Sequence, residues 1–207
     1  PEDWYAKFVE GVRELLEGCD RTQVEGISFG GQMHGLVALD EQDRVIRPAI
    51  LWNDGRSAME TEYLNDTIGR ENISKYTANI AFAGFTAPKI LWMKKHEPEN
   101  FSRISKIMLP KDYLAYRISG SFCTDVSDAS GMLLLDVKNR RWSAPMLGIC
   151  EITERMLPRV YESYEVVGTL KKTLAAELGL SSQVKVIAGA GDNAAAAVGT
   201  GTVGDGQ

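Results

Sequence analysis

The strongest constraint on the fold is an apolar strand pattern followed, after three residues, by a helix pattern near the end of the chain. Val184 to Ala188 is predicted as a buried strand, Gly189-Ala190-Gly191 as a turn, and Asp192 to Val198 as a helix. Open α/β sheets bind ligands at the carboxyl ends of their strands, so the Asp192 carboxylate is predicted to face a ligand crevice. The alternative is a helix cap, because Asp192 and Asn193 both suit the free backbone N–H groups at a helix start, and the two roles are compatible.

The rest of the chain alternates between helical and strand-like patterns. Five further helices are predicted. One follows Ser57, and the others cover Trp4 to Leu16, Thr86 to Pro98, Pro110 to Gly120 and Lys171 to Leu178. Gly18 and Gly179 are the predicted stops of the first and the last. Strands are predicted at Val24 to Phe29 before a Gly30-Gly31 loop, in a hairpin of Gly35 to Leu39 with Val45-Ile46, at Met132 to Leu135 and at Tyr164 to Val167. Ser57 and Glu60 match a capping box. Together these patterns predict a mixed α/β fold.

Composition excludes several functional classes. The 207 residues carry 23 basic and 28 acidic side chains, a net charge of -5, which argues against nucleic-acid and anionic-membrane partners because both require clustered lysine and arginine. No apolar run approaches the roughly 20 residues of a membrane span, and no secretory leader pattern is present. A cytoplasmic location is therefore expected.

Cysteine and histidine usage points away from disulfides and metal. Cys19, Cys123 and Cys150 are widely spaced without a C-x-x-C pair, and His34 and His96 are the two histidines. A disulfide framework or a structural zinc site needs more such residues at closer spacing. We therefore expect reduced cysteines and no metal ligands in this chain.

The glycine-flanked segment from Gly30 to Gly35 is a candidate ligand site. Gln32 and His34 can each donate and accept hydrogen bonds, which suits sugar hydroxyls, and Met33 lies between them. Flanking glycines allow a ligand to approach the backbone closely. The alternative is a polar turn with a core methionine and a surface histidine.

The segment Leu51 to Arg56 is another candidate. Trp52 offers a flat apolar face for the C–H surface of a sugar, while Asn53, Asp54 and Arg56 offer hydrogen bonds. The alternative here is a loop with a solvated ion pair, which is the commoner meaning of Asp and Arg near each other.

Glycines recur between Gly189 and Gly206, but their spacing is only weak evidence for a nucleotide-binding loop. The run Gly189-Ala190-Gly191-Asp192-Asn193-Ala194 lacks the third glycine of G-x-G-x-x-G, and no Walker-type G-x-x-x-x-G-K-[ST] occurs. No nucleotide-binding residue is therefore assigned within this chain.

Several segments together resemble the N-terminal domain of the FGGY carbohydrate kinases, over essentially the whole chain. The Lys89 to Trp92 spacing fits the core of that family's first signature. The resembling segments are Gly31 to Gly35, Arg47 to Arg56, Gly84 to His96, Leu109 to Leu114, Thr124 to Gly131, and Gly189 to Gly199.

The resemblance implies an actin-like, ribonuclease-H-like α/β fold in two domains, with ATP and Mg²⁺ in the cleft between them. It implies that Asp192 is the catalytic base, which takes the proton from the 5-hydroxyl of the sugar. Met33, His34 and Asn193 match sugar-contacting positions of the family, and Trp52 matches a loop that borders the sugar pocket. Gln32, beside Met33, is a further sugar-binding candidate.

The resemblance implies ATP-dependent phosphorylation of D-xylulose to D-xylulose 5-phosphate. The Met33-His34 pair and Trp52 to Arg56 favour xylulose over glycerol. Two alternatives stay open. One is another kinase of the family, acting on gluconate, L-ribulose or another polyol. The other is a non-catalytic sugar-binding domain.

Family members begin with an Asp-x-Gly-Thr strand and turn that binds phosphate and Mg²⁺, and the present sequence starts at Pro1 without one. Residues 1–207 are therefore expected to be one N-terminal sugar-binding domain, truncated at both ends and inactive alone. Truncation is expected to expose a sheet edge, and an exposed edge can pair with another chain to form a homodimer.

Overall fold

A computed structural model describes residues 1–204, in which helices alternate with short strands. The predicted domain limit at Gln207 lies outside the described residues. The helices are α1 (Glu2–Leu15), α2 (Ala58–Glu62), α3 (Arg70–Thr77), α4 (Thr86–His96), α5 (Pro98–Ser102), α6 (Pro110–Ser119), α7 (Val126–Ala129), α8 (Ala144–Cys150), α9 (Lys172–Leu178) and α10 (Asp192–Gly199). Shorter 3₁₀ helices lie at Arg21–Gln23, Ser130–Met132 and Glu154–Met156, and a π-helical stretch lies at Tyr63–Gly69.

The strands are short, and each pairs with a neighbour. They are β1 (Gly26–Ile27), β2 (Gly30–Gly31), β3 (Val37–Leu39), β4 (Lys106–Met108), β5 (Cys123–Asp125), β6 (Leu135–Asp136), β7 (Arg141–Trp142), β8 (Arg159–Tyr161), β9 (Val166–Thr169), β10 (Lys185–Ile187) and β11 (Ala190–Gly191). In the largest sheet β1 lies parallel to β10, and β10 lies antiparallel to β9. Farther along the same two chain segments, β2 pairs in parallel with β11.

Within the described residues three hydrophobic clusters support these elements: a small one at β3 and β4, which includes Val37 and Met108, and two larger ones. The largest one surrounds α4 and includes Ile90 and Met93, which are almost completely buried. The second packs α1, α6 and α9 against β10 through Val9, Ile118 and Val186. Because burial of apolar surface is the main favourable term in folding, these clusters hold the paired strands rigidly.

The structure confirms most of the predicted elements. The helices near both ends, the helices that begin at Thr86 and Pro110, and the buried strand before Asp192 all form. The predicted hairpin forms an antiparallel bridge between Leu39 and Val45, although the longer partner of β3 is β4. None of the helices within residues 1–204 is both long and apolar enough to cross a lipid bilayer.

Some local predictions are wrong. Ser57 occupies the cap position of α2, but its hydroxyl donates to the Ala83 carbonyl at 2.9 Å, so no capping box forms. The Met132 to Leu135 segment is mostly not a strand, because Leu133 adopts a left-handed conformation with φ of 61°. These apolar residues are fully buried, so their pattern reports burial and not an extended backbone.

The glycine-rich connections also differ from the prediction. Gly30-Gly31 was expected as a loop and Ala190-Gly191 as part of a turn, yet the two pairs form β2 and β11. The predicted strand at Tyr164 begins two residues later, at Val166, and Tyr164 is 79% exposed. Strand pairing between distant segments therefore overrides the local turn preference of glycine.

Candidate active site

Two adjacent parallel strands bring the candidate residues together. Gly30 pairs with Ala190 and Gly31 with Gly191, so β2 and β11 end side by side. Met33 and His34 follow the first strand, and Asp192 follows the second. Ligands of open α/β sheets bind at this edge, where parallel strands end.

A cavity of about 240 Å³ opens at this edge. It is smaller than the pockets that hold drug-sized ligands, so its size suits a small polyol. Its lining carries a thioether, an imidazole, an indole, a carboxylate and an amide, from Met33, His34, Trp52, Asp192 and Asn193. Gln32 instead faces a separate hollow with Trp4, Phe8 and Leu114, so its predicted role stays a prediction.

Two glycines allow the cavity walls to approach each other. A Cβ atom on Gly131 would lie 2.4 Å from Cε1 of His34, and a Cβ on Gly191 would lie 2.9 Å from Cγ of Met33. Real Cβ atoms do not come so close to such atoms, so any side chain at these positions would displace Met33 or His34.

His34 has a defined hydrogen-bonding state. Its Nδ1 lies 2.8 Å from the carbonyl oxygen of Gly131, and because a carbonyl only accepts, Nδ1 carries the proton. Burial lowers the pKa of the His34 imidazole below its ordinary value, and the Lys89 ammonium lowers it further, against the opposing effects of the Gly131 hydrogen bond and of Asp192. The neutral ring therefore keeps Nε2 as an acceptor for a ligand hydroxyl.

Asp192 is the first residue of α10, and Gly191 takes the cap position without a side-chain bond. Oδ1 of Asp192 accepts from the backbone N–H of Asn193 at 2.8 Å, and Asn193 Nδ2 lies 3.9 Å from Sδ of Met33. Asp192 therefore bonds a free backbone N–H group at the helix start, as the cap interpretation expects, although the cap position itself is Gly191. The carboxylate is exposed to the cavity and lies at the positive end of the helix dipole.

The segment that carries Trp52 is held by an ion pair and by contacts with the Trp92 ring. Arg56 donates to the Asp54 carboxylate at 2.8 to 2.9 Å, and its guanidinium lies 4.9 Å from the centre of the Trp92 ring. The Trp92 ring also stacks on His96, with the ring centres 5.1 Å apart. The Trp52 indole itself is 57% exposed and free to contact a ligand.

Behind the strand ends lies a buried cluster of one lysine and three aspartates. Lys111 Nζ lies 2.8 Å from Asp112, 2.9 Å from Asp125 and 3.7 Å from Asp128. Burial alone would lower the pKa of Lys111, but the three carboxylates raise it above its ordinary value. Burial would raise the pKa of Asp125, but Lys111 and the Ser127 hydroxyl hold it below its ordinary value.

The described residues contain no group of three or more His, Cys, Asp or Glu side chains placed to hold a metal ion. Mg²⁺ in enzymes is often held by one or two carboxylates together with substrate phosphates. Of the residues that line the cavity, Asp192 supplies a carboxylate. The side chains present therefore do not form a self-contained Mg²⁺ site.

Four residues for which the sequence predicts no role lie around the candidate residues: Gly131, Lys89, Ser127 and Phe85. One local signal existed for Lys89, a lysine inside the apolar run Ala87 to Leu91. A charged residue within an apolar helix pattern indicates a buried group with polar partners.

Comparison with known proteins identifies relatives of the whole chain. A family model for the FGGY family of carbohydrate kinases, N-terminal domain, matches residues 1–199. The chain is 44% identical over 203 residues to the xylulose kinase of Escherichia coli (strain K12), which is 98% of this chain and 41% of that protein.

Solved structures show the same fold. The xyloylose kinase from Brucella ovis aligns with a TM-score of 0.89 and 43% identity over 96% of this chain and 40% of that one. The gluconate kinase from Lactobacillus acidophilus aligns with a TM-score of 0.86 and 26% identity over 91% of this chain and 38% of that one. The predicted α/β, actin-like fold is confirmed, and the chain spans less than half the length of these relatives.

Proposed function

The chain belongs to the FGGY family of carbohydrate kinases, and we propose that the complete protein containing it phosphorylates D-xylulose at the 5-hydroxyl with ATP. This chain would supply the sugar pocket and the catalytic base. The observation that carries the proposal is one cavity lined by Met33, His34, Trp52, Asp192 and Asn193 at the ends of two parallel strands. We propose residues 1–207 as one sugar-binding domain and the cytoplasm as its location.

Asp192 would act as the base. Its Oδ1 accepts from Asn193, and within residues 1–204 no hydrogen bond engages Oδ2, which suits a sugar hydroxyl. The hydroxyl oxygen attacks the γ-phosphorus of ATP, the bond from that phosphorus to the β–γ bridging oxygen breaks, and the hydroxyl proton passes to Asp192. ADP leaves with the bridging oxygen. Phosphoryl transfer depends mainly on positioning and charge stabilisation, so a fixed carboxylate suffices as the base.

The remaining cavity residues would bind the sugar. Nε2 of His34 accepts from a hydroxyl, the Asn193 amide donates and accepts, and the Trp52 indole covers the C–H face of the sugar. Met33 provides an adaptable apolar wall.

A neutral sugar suits this cavity better than an anion such as gluconate. The cavity already contains the Asp192 carboxylate, and the His34 imidazole is held neutral. A second negative charge beside Asp192 would be repelled without a cation to offset it. L-Ribulose and other neutral polyols stay open as alternative substrates.

ATP would be the phosphoryl donor, and Mg²⁺ would offset the charge of its phosphates when bound. We assign no residue of this chain to the adenosine or to the metal. The homodimer remains a prediction, which sedimentation of the complete protein would test. The absence of nucleic-acid and membrane partners also remains a prediction.

ADP release by the complete protein tests the proposal, with D-xylulose, L-ribulose, gluconate and glycerol as acceptors. We expect D-xylulose to have the highest kcat/KM. Asp192→Asn should lower kcat by about 10²-fold or more, as expected for a positioned base, while sugar binding by calorimetry stays close to wild type. The exposed Asp66→Asn is the matched control and should be neutral.

Two results would contradict the proposed function, and a third would contradict a separate expectation about the chain alone. If another acceptor has a higher kcat/KM, the enzyme is a sibling kinase of the family. If sugar binds without turnover in the complete protein, the chain is a binding domain. Turnover by residues 1–207 alone would contradict the expectation that this chain is inactive by itself.

A further inference from the structure

Lys89 of α4 is a lysine without exposed surface. Its Nζ donates to the carbonyl oxygen of His34 at 2.8 Å and to that of Gly84 at 2.5 Å. Within residues 1–204 no carboxylate oxygen lies within 4.0 Å of this ammonium. Lysine is almost never fully buried unless it is paired, so a buried cation held by two backbone carbonyls requires an explanation.

Other contacts of the same helix end converge on His34. The Thr86 hydroxyl donates to the His34 carbonyl at 3.2 Å, and the Phe85 ring centre lies 4.4 Å from the imidazole centre. His34 has a φ of 68°, a left-handed conformation that costs free energy in a residue with a side chain. Such strain persists only where the surroundings hold it, and it is typical of ligand sites.

We propose that Lys89 is a positioning residue of the sugar site. Its ammonium holds the His34 carbonyl, and with it the left-handed backbone that directs Nε2 of the imidazole to a sugar hydroxyl. The inference rests on the proposed function, because it gives the hydroxyl as the partner of Nε2.

The charge of Lys89 has a second effect on the same residue. Two charged groups face His34, Lys89 from α4 and Asp192 from α10, while Asp54 faces Lys89. Burial lowers the pKa of Lys89 to about 8, so the ammonium remains charged at neutral pH. Lys89 therefore helps to keep His34 neutral, which preserves Nε2 as an acceptor.

This double role predicts the direction of a pH effect. Replacing Lys89 by methionine removes one cause of the lowered pKa of His34, so that pKa rises. The acid limb of sugar binding, where His34 becomes protonated and Nε2 stops accepting, then moves to higher pH. A lysine that only stabilises the fold would leave this limb in place.

The test compares Lys89→Met with Lys95→Met in the complete protein. Lys95 lies on the same helix with its side chain 62% exposed, so it is the matched control. For Lys89→Met we expect KM for D-xylulose to rise about tenfold or more, corresponding to a lost charge-assisted hydrogen bond. kcat should fall less than KM rises, because a ground-state contact is weakened. Lys95→Met should match wild type.

If Lys89→Met does not fold, Thr86→Val provides a second test of the proposal. It removes one hydrogen bond to the same carbonyl at nearly constant volume, so a smaller rise in KM is expected. NMR of histidine-labelled protein, with His34 assigned through His34→Gln, should show a proton on Nδ1 in wild type and a titration at higher pH in Lys89→Met.

Unchanged KM in both variants, together with an unchanged His34 tautomer and titration, would overturn the inference. If the complete protein phosphorylates no sugar, the proposed function fails. The NMR readout still reports whether Lys89 controls His34, so the two failures are distinguishable.

Discussion

The hydroxyl oxygen of Ser127 accepts a hydrogen bond from the backbone N–H of Gly191 at 3.1 Å, one residue before Asp192. The same hydroxyl donates to Oδ2 of Asp125 at 2.5 Å, and Asp125 Oδ1 lies 2.9 Å from Lys111 Nζ. A continuous set of polar contacts therefore connects a buried ion cluster to the backbone that carries the proposed base.

Ser127→Ala should lower kcat for D-xylulose about three- to tenfold, the effect of one lost hydrogen bond that leaves a donor unpaired. The Gly191 N–H loses its acceptor, and the position of Asp192 becomes less well defined. KM should change little, because the base acts mainly in the transition state. Steady-state kinetics of the complete protein measures both constants.

Ser102→Ala is the control for this prediction. Ser102 is exposed on α5, and its hydroxyl donates to the Glu99 carbonyl far from the cavity. Both variants lose one serine hydroxyl. An unchanged kcat in Ser127→Ala would mean that strand pairing alone positions Asp192.

Asp128 makes the stability of the fold depend on pH. Within the described residues neither of its side-chain oxygens has a hydrogen-bond partner. Burial raises its pKa well above the ordinary value, and Asp112 and Asp125 add to that effect against Lys111. A carboxyl with a raised pKa in the folded state favours folding fully below its unfolded pKa of about 3.8. That contribution is lost as pH rises through the folded pKa.

Asp128→Asn removes this ionisation at nearly constant volume. We expect the thermal midpoint of the variant to exceed that of wild type at pH 8, and the difference to shrink towards pH 4. Scanning calorimetry of the complete protein across this range measures the difference. Asp66→Asn, an exposed aspartate, should follow wild type at each pH. A constant difference across the range would show that the pKa of Asp128 is the same in the folded and unfolded states, which contradicts the prediction.

The residues of the cavity that could be predicted from sequence are those with a local signal. Asp192 follows a buried strand and begins a helix, and Met33 and His34 stand between glycines after another strand. Trp52 lies in a polar segment, where a large aromatic side chain indicates a contact with a ligand. Each signal lies within about ten residues of its side chain, which is the range of propensity and periodicity.

Apart from Lys89, whose place in an apolar run indicates burial, the residues that support the cavity carry no such signal, because their contacts join distant segments. His34 and Gly131 are 97 positions apart, and His34 and Lys89 are 55 apart. Local patterns predict helices and strands but not which distant backbone group a side chain meets. The same limit explains why β2 and β11 were expected as a loop and a turn. These two strands are stabilised by pairing with each other across a long stretch of sequence, and not by the strand preference of their own residues.

Trp52 presents an exposed indole on a firmly held loop. The indole is 57% exposed and lines the cavity, while Arg56 fixes the loop through Asp54 and the Trp92 ring. An aromatic face already in place covers the C–H surface of a sugar without further ordering, so its apolar burial contributes directly to binding.

Trp52→Ala should therefore raise KM for D-xylulose about tenfold, or ~1.4 kcal/mol, with kcat nearly unchanged. Trp52→Phe retains an apolar ring and should lose less. D-Xylulose should quench tryptophan fluorescence in wild type and not in Trp52→Phe, since Trp4, Trp92 and Trp142 do not line the cavity. Tyr164→Ala, at a residue that is 79% exposed and does not line the cavity, is the control. If the quenching persists in Trp52→Phe and KM is unchanged in Trp52→Ala, the indole does not contact the sugar.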